Sequence, residues 1–202
     1  MSLIRGWLKQ VVPPIAIFLM IDLLLTLVFF STSSPNVHIG TLRPADAIPP
    51  KLGELAVVGA GLGILSTLAY KHIDLSLITL FTAFVVLLDL DHLPSVLGVA
   101  QPIRPAHSLA FLGVTLVVLS VVLRNRQPEV GSIFVSSFLG HLAADTGIFA
   151  LFAPFTFQYF SIDAVRIPLM AGAVAFALLA GYIKNKRRTR IVIPRKVAII
   201  RV

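Results

Sequence analysis

The sequence predicts an all-α integral membrane protein, a bundle of about six transmembrane helices with both termini on the cytoplasmic side. Hydrophobic residues make up 57% of the 202 residues and charged residues only 13%. The mean hydropathy of +0.94 is well above that of a soluble domain. The apolar residues form blocks of roughly 16 to 20, about the length that crosses a hydrocarbon layer at ~1.5 Å per helical residue.

Six apolar blocks predict the helices, and turn-rich or charged connectors separate them. The blocks cover residues 11–30, 53–70, 75–88, 108–123, 131–150 and 166–183. The first block follows two basic residues, as in a signal peptide, but no Ala-x-Ala cleavage site comes before Ser31, so we expect a retained helix. A proline-rich outer loop, residues 31–50, follows this helix and could cover an outer-facing site.

The distribution of basic residues predicts the orientation and the partners. We expect residues 1–183 to form one transmembrane domain and residues 184–202 to form a basic cytoplasmic tail, which holds eight of the 17 Lys and Arg residues. With the amino terminus inside, thirteen basic residues lie on the inner side and four on the outer side, as the positive-inside rule requires. The tail would then contact anionic lipid headgroups of the cell (plasma) membrane. Membrane lipids are therefore the expected partners; nucleic acid is not expected, and the sequence identifies no protein partner.

The chain contains no cysteine, so a metal ion would have to bind through histidine, aspartate or glutamate. The third apolar block ends in Asp89, Asp91 and His92. Asp89 and His92, three residues apart, share a helix face as a chelating pair. Asp91 faces elsewhere, where it could bind a second ion, orient His92 or cap the helix. A plain polar helix end at the membrane interface is the alternative.

The fifth block contains His141 and Asp145, which are four residues apart and therefore also on one face. Counted from the predicted inner end of the helix, they lie ~15 and ~21 Å into the span, within the apolar layer. An ionisable group is costly there unless it faces a water-filled cavity, a partner or a metal ion. A structural His–Asp hydrogen bond is the alternative interpretation.

Alternating helix directions bring further donors to the same outer region. His107 lies where the fourth helix enters the membrane, and Glu54 lies at the outer start of the second. The metal ligands that we predict are Asp89, His92, His107, His141 and Asp145. Mixed imidazole and carboxylate ligands favour a divalent transition metal over calcium, with zinc first and manganese or iron as alternatives. The donor count does not decide between one ion and two.

Three further features concern helix packing. Gly59, Gly61 and Gly63 in the second helix would let another backbone approach closely. The short inner connectors predict that helices two and three, and helices four and five, are antiparallel neighbours. Asp22 lies mid-span in the first helix. Its side chain could pair with another polar group for structural reasons or could have a functional role, and the sequence does not favour either.

In the order of its motifs the chain resembles the YdjM-type (LexA-binding, inner-membrane-associated) family of membrane-bound metal-dependent hydrolases. The resemblance covers roughly residues 53–160 and rests on Asp89-Leu90-Asp91-His92, Arg104-Pro105-Ala106-His107-Ser108 and His141-Leu142-Ala143-Ala144-Asp145. Family members typically have a histidine near the start of the first core helix, where this chain has Glu54. Their middle motif is His-Arg-x-x-Thr-His-Ser, in which this chain has Ile103 for the first histidine and Ala106 for the threonine. The resemblance implies metal binding more directly than it implies hydrolysis.

These features lead to the hypothesis of a metal-dependent membrane hydrolase, in which a water made acidic by the ion attacks an ester or phosphoester. Asp91 or Glu54 would act as the general base, and Arg104 and Ser108 would bind the substrate. A site in the outer half of the membrane favours a lipid or lipid-linked substrate. The main rival is a transporter that uses the same side chains for a metal ion or for protons. A non-catalytic membrane protein whose tail binds a cytoplasmic partner is the third possibility.

Overall fold

A computed structural model describes residues 2–32, 49–92, 105–145, 148–149, 151–152, 155 and 160–192. In this part of the chain, each predicted apolar block corresponds to an α-helix. The helices are α1 (Ser2–Thr32), α2 (Pro49–Tyr70), α3 (Leu75–Leu87), α4 (Leu109–Val122), α5 (Gln127–Ala144) and α6 (Arg166–Val192). The 3-10 helices are Leu88–His92, Pro105–His107 and Asp163–Val165. The strand β1 (Ile148–Phe149) pairs antiparallel with β2 (Phe160–Ser161).

Four helical segments are long and apolar enough to cross a membrane, which is consistent with a membrane protein. They are Ile4–Val28, Leu52–Tyr70, Leu75–His92 and Asp163–Thr189. α4 is apolar but shorter, and α5 is not among them, because Gln127, Pro128 and Glu129 in its first turn, together with a histidine, lower its mean hydropathy. The serines and the histidine of α5 are buried inside the bundle. The arrangement of six spans with both termini in the cytoplasm stays a prediction.

Two glycines on α2 allow close contact with α3. A Cβ added to Gly59 would lie 2.6 Å from the Cα of Thr82, and one added to Gly63 would lie 2.6 Å from the Cα of Ile78. Because the two pairs run in opposite directions along the chain, α2 and α3 are antiparallel neighbours, as predicted. For Gly61 the prediction of close approach is wrong, since a Cβ there meets nothing within 4 Å. Two residues away from the other glycines, it lies on the opposite face of the helix.

Four phenylalanine rings fill the centre of the bundle between α1, α3, α4 and α5. Phe18, Phe84, Phe111 and Phe134 are all fully buried. The ring centroid of Phe18 lies 5.5 Å from those of Phe84 and Phe111 and 5.8 Å from that of Phe134. Tilted and edge-on rings at such separations attract each other in addition to burying apolar surface. We call these four residues the phenylalanine layer.

At one end of the bundle, which we call the basic end, ion pairs join α6 to α5 and to the turn before α3. Lys184 Nζ lies 2.6 Å from Asp74 Oδ2, and Arg187 Nη1 lies 2.9 Å from Glu129 Oε2. Arg126 Nη2 lies 2.8 Å from Glu129 Oε1, and the same guanidinium donates to a backbone oxygen of α1. Glu129 is almost completely buried. The network therefore holds four parts of the chain together.

This network changes the interpretation of the predicted basic tail. α6 continues to Val192, well into the tail, because lysine and arginine are good helix formers and nothing stops the helix at residue 183. Lys184 and Arg187 are one turn apart, and both pair with acidic residues of the bundle. The first turns of the tail are thus part of the bundle. Residues 193–202, residues 33–48 of the predicted outer loop, and Arg104 lie outside the described residues.

Asp74 should make the stability of the basic end depend on pH. Burial alone would raise the pKa of Asp74, but hydrogen bonds from Lys184 and Ser76 and the charge of Lys184 hold that pKa below its ordinary value of 3.8. The stabilisation is therefore fully present above the ordinary value and is lost as the pH falls through the lower folded value. We expect the difference in unfolding temperature between the wild type and Asp74→Asn to shrink below about pH 4. Thermal unfolding in detergent measures it; a difference independent of pH would contradict this prediction.

Candidate metal centre

At the end opposite the basic end, six buried acidic and histidine side chains come together. They are Asp89, Asp91, His92, His107, His141 and Asp145, and we call them the histidine cluster. Each is 6% exposed or less. The first ligand group, whose ligand atoms lie within 4.8 Å of one another, is Asp89, His107, His141 and Asp145. A second group is Asp91, His92 and His107. The first group could hold a metal ion.

Helix ends position the acidic members of the cluster. After α3 the chain tightens into the 3-10 helix Leu88–His92, in which side chains three residues apart are eclipsed. Asp89 and His92 therefore face the same way, as predicted, and His92 Nε2 lies 3.4 Å from Asp89 Oδ1. Asp145 is the C-cap residue of α5, where its N–H donates to the carbonyl of His141. The ends of α3 and α5 thus bring distant residues to one place.

His107 is held by its neighbours in the chain and by Asp91. Ser108 caps α4, because its hydroxyl accepts the N–H of Phe111 at 3.1 Å and donates to a backbone carbonyl of the same turn at 2.8 Å. This fixes the turn that carries His107. Asp91 Oδ2 lies 3.0 Å from His107 Nδ1. Of the roles considered for Asp91, the geometry favours orientation of a histidine, but the closest imidazole is that of His107 and not that of His92.

The surroundings of His107 and His141 decide which ring nitrogen carries the proton. His141 Nδ1 lies 2.8 Å from the backbone oxygen of Val85, which can only accept, so Nδ1 carries the hydrogen. His107 Nδ1 faces the Asp91 carboxylate in the same way. When both rings are neutral, the lone pair is on Nε2 of each, and the two Nε2 atoms lie 2.9 Å apart. Two lone pairs this close repel each other, whereas a cation bound to both, either a proton or a metal ion, would attract them.

Two carboxylates complete the first ligand group. Asp89 Oδ1 lies 3.5 Å from His141 Nε2 and 3.9 Å from His107 Nε2, and Asp145 Oδ2 lies 3.6 Å from His107 Nε2. Ligand atoms bound at ~2.0–2.1 Å around a tetrahedral ion lie roughly 3.3–3.4 Å apart. These separations and the 2.9 Å between the two Nε2 atoms lie on both sides of that value. Two imidazole nitrogens and two buried carboxylates could therefore hold a metal ion.

Not every predicted site residue joins this group. Glu54 is exposed near the start of α2 and belongs to neither ligand group found in the described part of the chain. His92 belongs to the second group and not to the first. The hydroxyl of Ser108 is buried and engaged in capping α4, so its role in substrate binding stays a prediction. Arg104 is outside the described residues, and its role also stays a prediction.

Asp22 belongs to this region, although the sequence leaves its role open. It is 7% exposed on α1 and interacts electrostatically with Asp91 and His107. Among the described residues, its Oδ1 atom has no hydrogen-bond partner. The signal in the sequence is an acidic residue inside an apolar block, which is costly unless something compensates its charge. The sequence does not indicate which helix it faces.

No model of a known protein family, no curated protein and no solved structure matches this chain. The resemblance in motif order therefore stays a prediction. The function has to be argued from the geometry and charge of the histidine cluster.

Proposed function

We propose that this protein is a membrane-embedded, zinc-dependent hydrolase that cleaves an ester or phosphoester of a lipid or lipid-linked substrate at the outer membrane face. The observation that carries the proposal is the contact between His107 and His141, whose Nδ1 atoms each face an oxygen and whose Nε2 atoms converge. Imidazole and carboxylate donors together are typical of catalytic zinc, and manganese or iron can use the same atoms.

Some residues of the cluster would bind the ion, and another would orient one of these ligands. The ion would be held by Asp89, His107, His141 and Asp145, with a further position left for water, as catalytic zinc sites require. Asp91 is a positioning residue, because its contact with His107 Nδ1 fixes the ring and its tautomer. A bound zinc ion supplies Lewis-acid chemistry, which polarises the bond to be cleaved and makes water acidic near neutral pH. Of the two general bases that the sequence predicts, Asp91 is thus engaged with His107, and Glu54 lies exposed near the start of α2.

The phenylalanine layer favours an enzyme over a transporter. A transporter needs access to its site from both membrane faces. Phe18 precedes Asp22 by one helical turn, and Phe84 precedes Asp89 by five residues, so the layer lies between the cluster and the basic end. Its buried rings close the centre of the bundle on that side. A metal-ion or proton-coupled transporter is therefore the second candidate.

Turnover by the purified protein tests the proposal. In detergent we expect hydrolysis of a phospholipid, or of a p-nitrophenyl ester or phosphodiester, that stops when a chelator is added and returns with zinc. Asp145→Asn should lower turnover at least ~100-fold, because it removes a ligand with little change of volume. Ser137→Ala is the matched control, since this buried serine lies one turn before His141 on α5 and is not in a ligand group. It should keep its turnover.

The same preparation separates the two candidate functions. Zinc or proton uptake into vesicles that contain the protein, with no turnover of any tested ester, would contradict the hydrolase and support the transporter. Chelator-sensitive turnover without uptake would support the hydrolase.

A further inference from the structure

The histidine cluster and the neighbouring Asp22 together hold more carboxylates than one divalent ion can balance. These four carboxylates are each 7% exposed or less: Asp22, Asp89, Asp91 and Asp145. With all four ionised, one divalent cation would leave two negative charges in the buried, apolar part of the bundle, which is strongly unfavourable. Two divalent cations would balance all four.

A second set of ligand atoms, His92 Nε2, Asp89 Oδ1 and Asp91 Oδ1, lies next to the first. It takes Asp89 in place of the His107 of the second ligand group, because His107 Nδ1 faces Asp91 Oδ2 and its Nε2 faces His141. His92 Nε2 is 3.4 Å from Asp89 Oδ1 and 3.6 Å from Asp91 Oδ1, separations similar to those inside the first ligand group. Asp89 Oδ1 is also 3.5 Å from His141 Nε2, so this one oxygen lies between the two sets. Asp91 contacts both sets of ligands. Its Oδ2 contacts the ring of His107, which belongs to the first set, and its Oδ1 faces His92 in the second.

Asp22 gives an independent indication from another helix. Its Oδ1 atom is buried and has no hydrogen-bond partner within the described residues. Its interaction with Asp91 and His107 and the contact of α1 with the turn Pro105–His107 direct it toward the cluster. A buried carboxylate oxygen without a donor is rare in folded proteins, and a nearby cation would compensate its charge.

We propose that the histidine cluster binds two divalent cations, the second between His92, Asp89 and Asp91, with Asp89 shared by both ions. This inference rests on the metal site of the proposed function and deepens it. With one imidazole among carboxylates, the second set is harder than the first and favours manganese, iron or magnesium over zinc. Paired ions are typical of enzymes that cleave phosphoesters. The expected substrate class is therefore a phosphoester in preference to a carboxylic ester.

Loading with manganese alone tests the second site. The full-length protein, purified in detergent and stripped with a chelator, should bind two manganese ions per chain by elemental analysis and show the electron paramagnetic resonance spectrum of an exchange-coupled pair. His92→Ala should bind one ion and lose the coupling. Asp22→Asn keeps the side-chain size and should weaken binding of the second ion ~10–100-fold, the usual effect of removing a side chain that contacts a ligand and not the ion itself. Binding of the first ion should not change. Ser137→Ala should keep both ions and the coupling.

The following outcomes would contradict the second site or the whole metal site. One manganese ion per chain in the wild type would overturn the second site and leave the first. Two ions without exchange coupling would also overturn it, because they would not share Asp89. If the wild type binds neither manganese nor zinc, the metal site of the proposed function fails as well. Should thermal unfolding show that His92→Ala does not fold, Asp22→Asn decides: an unchanged affinity for the second ion would overturn the inference.

Discussion

Asp145→Asn is expected to lose most of the stabilisation that a bound metal ion gives the wild type. Asp145 Oδ2 lies 3.6 Å from His107 Nε2, and Asp145 belongs to the first ligand group. With an ion bound, this carboxylate is a ligand, so its loss weakens binding. The substitution should therefore change the unfolding temperature more in the presence of zinc than in the presence of a chelator.

The coupling between ion binding and folding determines how much zinc stabilises each variant. A ligand that binds only the folded state stabilises it by about 4 kcal/mol when present at a thousandfold excess over its Kd. We expect zinc to stabilise the wild type by about this amount, and Asp145→Asn and His141→Ala by much less. Thermal unfolding in detergent, with zinc or with a chelator, measures the difference. Ser137→Ala and His72→Ala, the latter exposed at the basic end, are controls that should respond like the wild type.

The metal site would be contradicted if zinc shifted the unfolding of the wild type and of both ligand variants equally.

Gly63→Ala is expected to destabilise the bundle by about 3 kcal/mol, the upper part of the usual range for overpacked interiors. The added Cβ would lie 2.6 Å from the Cα of Ile78. A backbone atom cannot move aside unless α2 and α3 separate. Helix propensity alone predicts the opposite sign, because alanine is a better helix former than glycine. The measurement therefore distinguishes close helix contact from local propensity.

Gly61→Ala is the matched control for this substitution. It makes the same chemical change on the same helix, but its Cβ meets nothing within 4 Å, so we expect no loss of stability. Unfolding of both variants by SDS in mixed micelles measures the difference. Because the 3-10 helix that continues α3 carries Asp89, Gly63→Ala should also weaken zinc binding, whereas Gly61→Ala should not. Equal stability of the two variants would show that α2 and α3 are not in backbone contact at Gly63.

By itself the sequence determined where the helices lie and which side chains are candidates for the site. Runs of apolar residues predict these helices because the free energy of burying or exposing a side chain depends mainly on that residue. The contributions therefore nearly add up along the run. The spacing of Asp89 and His92, and of His141 and Asp145, could be read in the same way, because side chains three or four residues apart share a helix face. Two of the three glycine positions on α2 followed the same reasoning.

Only the tertiary structure decided how these candidates are used. It places Asp22 with the cluster and leaves Glu54 at the surface. It also directs Lys184 to Asp74, although the sequence assigned this lysine to the tail. The proton of His141 is placed on Nδ1 by the Val85 carbonyl of another helix, a contact that requires α3 and α5 to lie within hydrogen-bond distance. The distance and rotation of one helix relative to the next come from packing across the whole bundle, and spacing along the chain does not encode them.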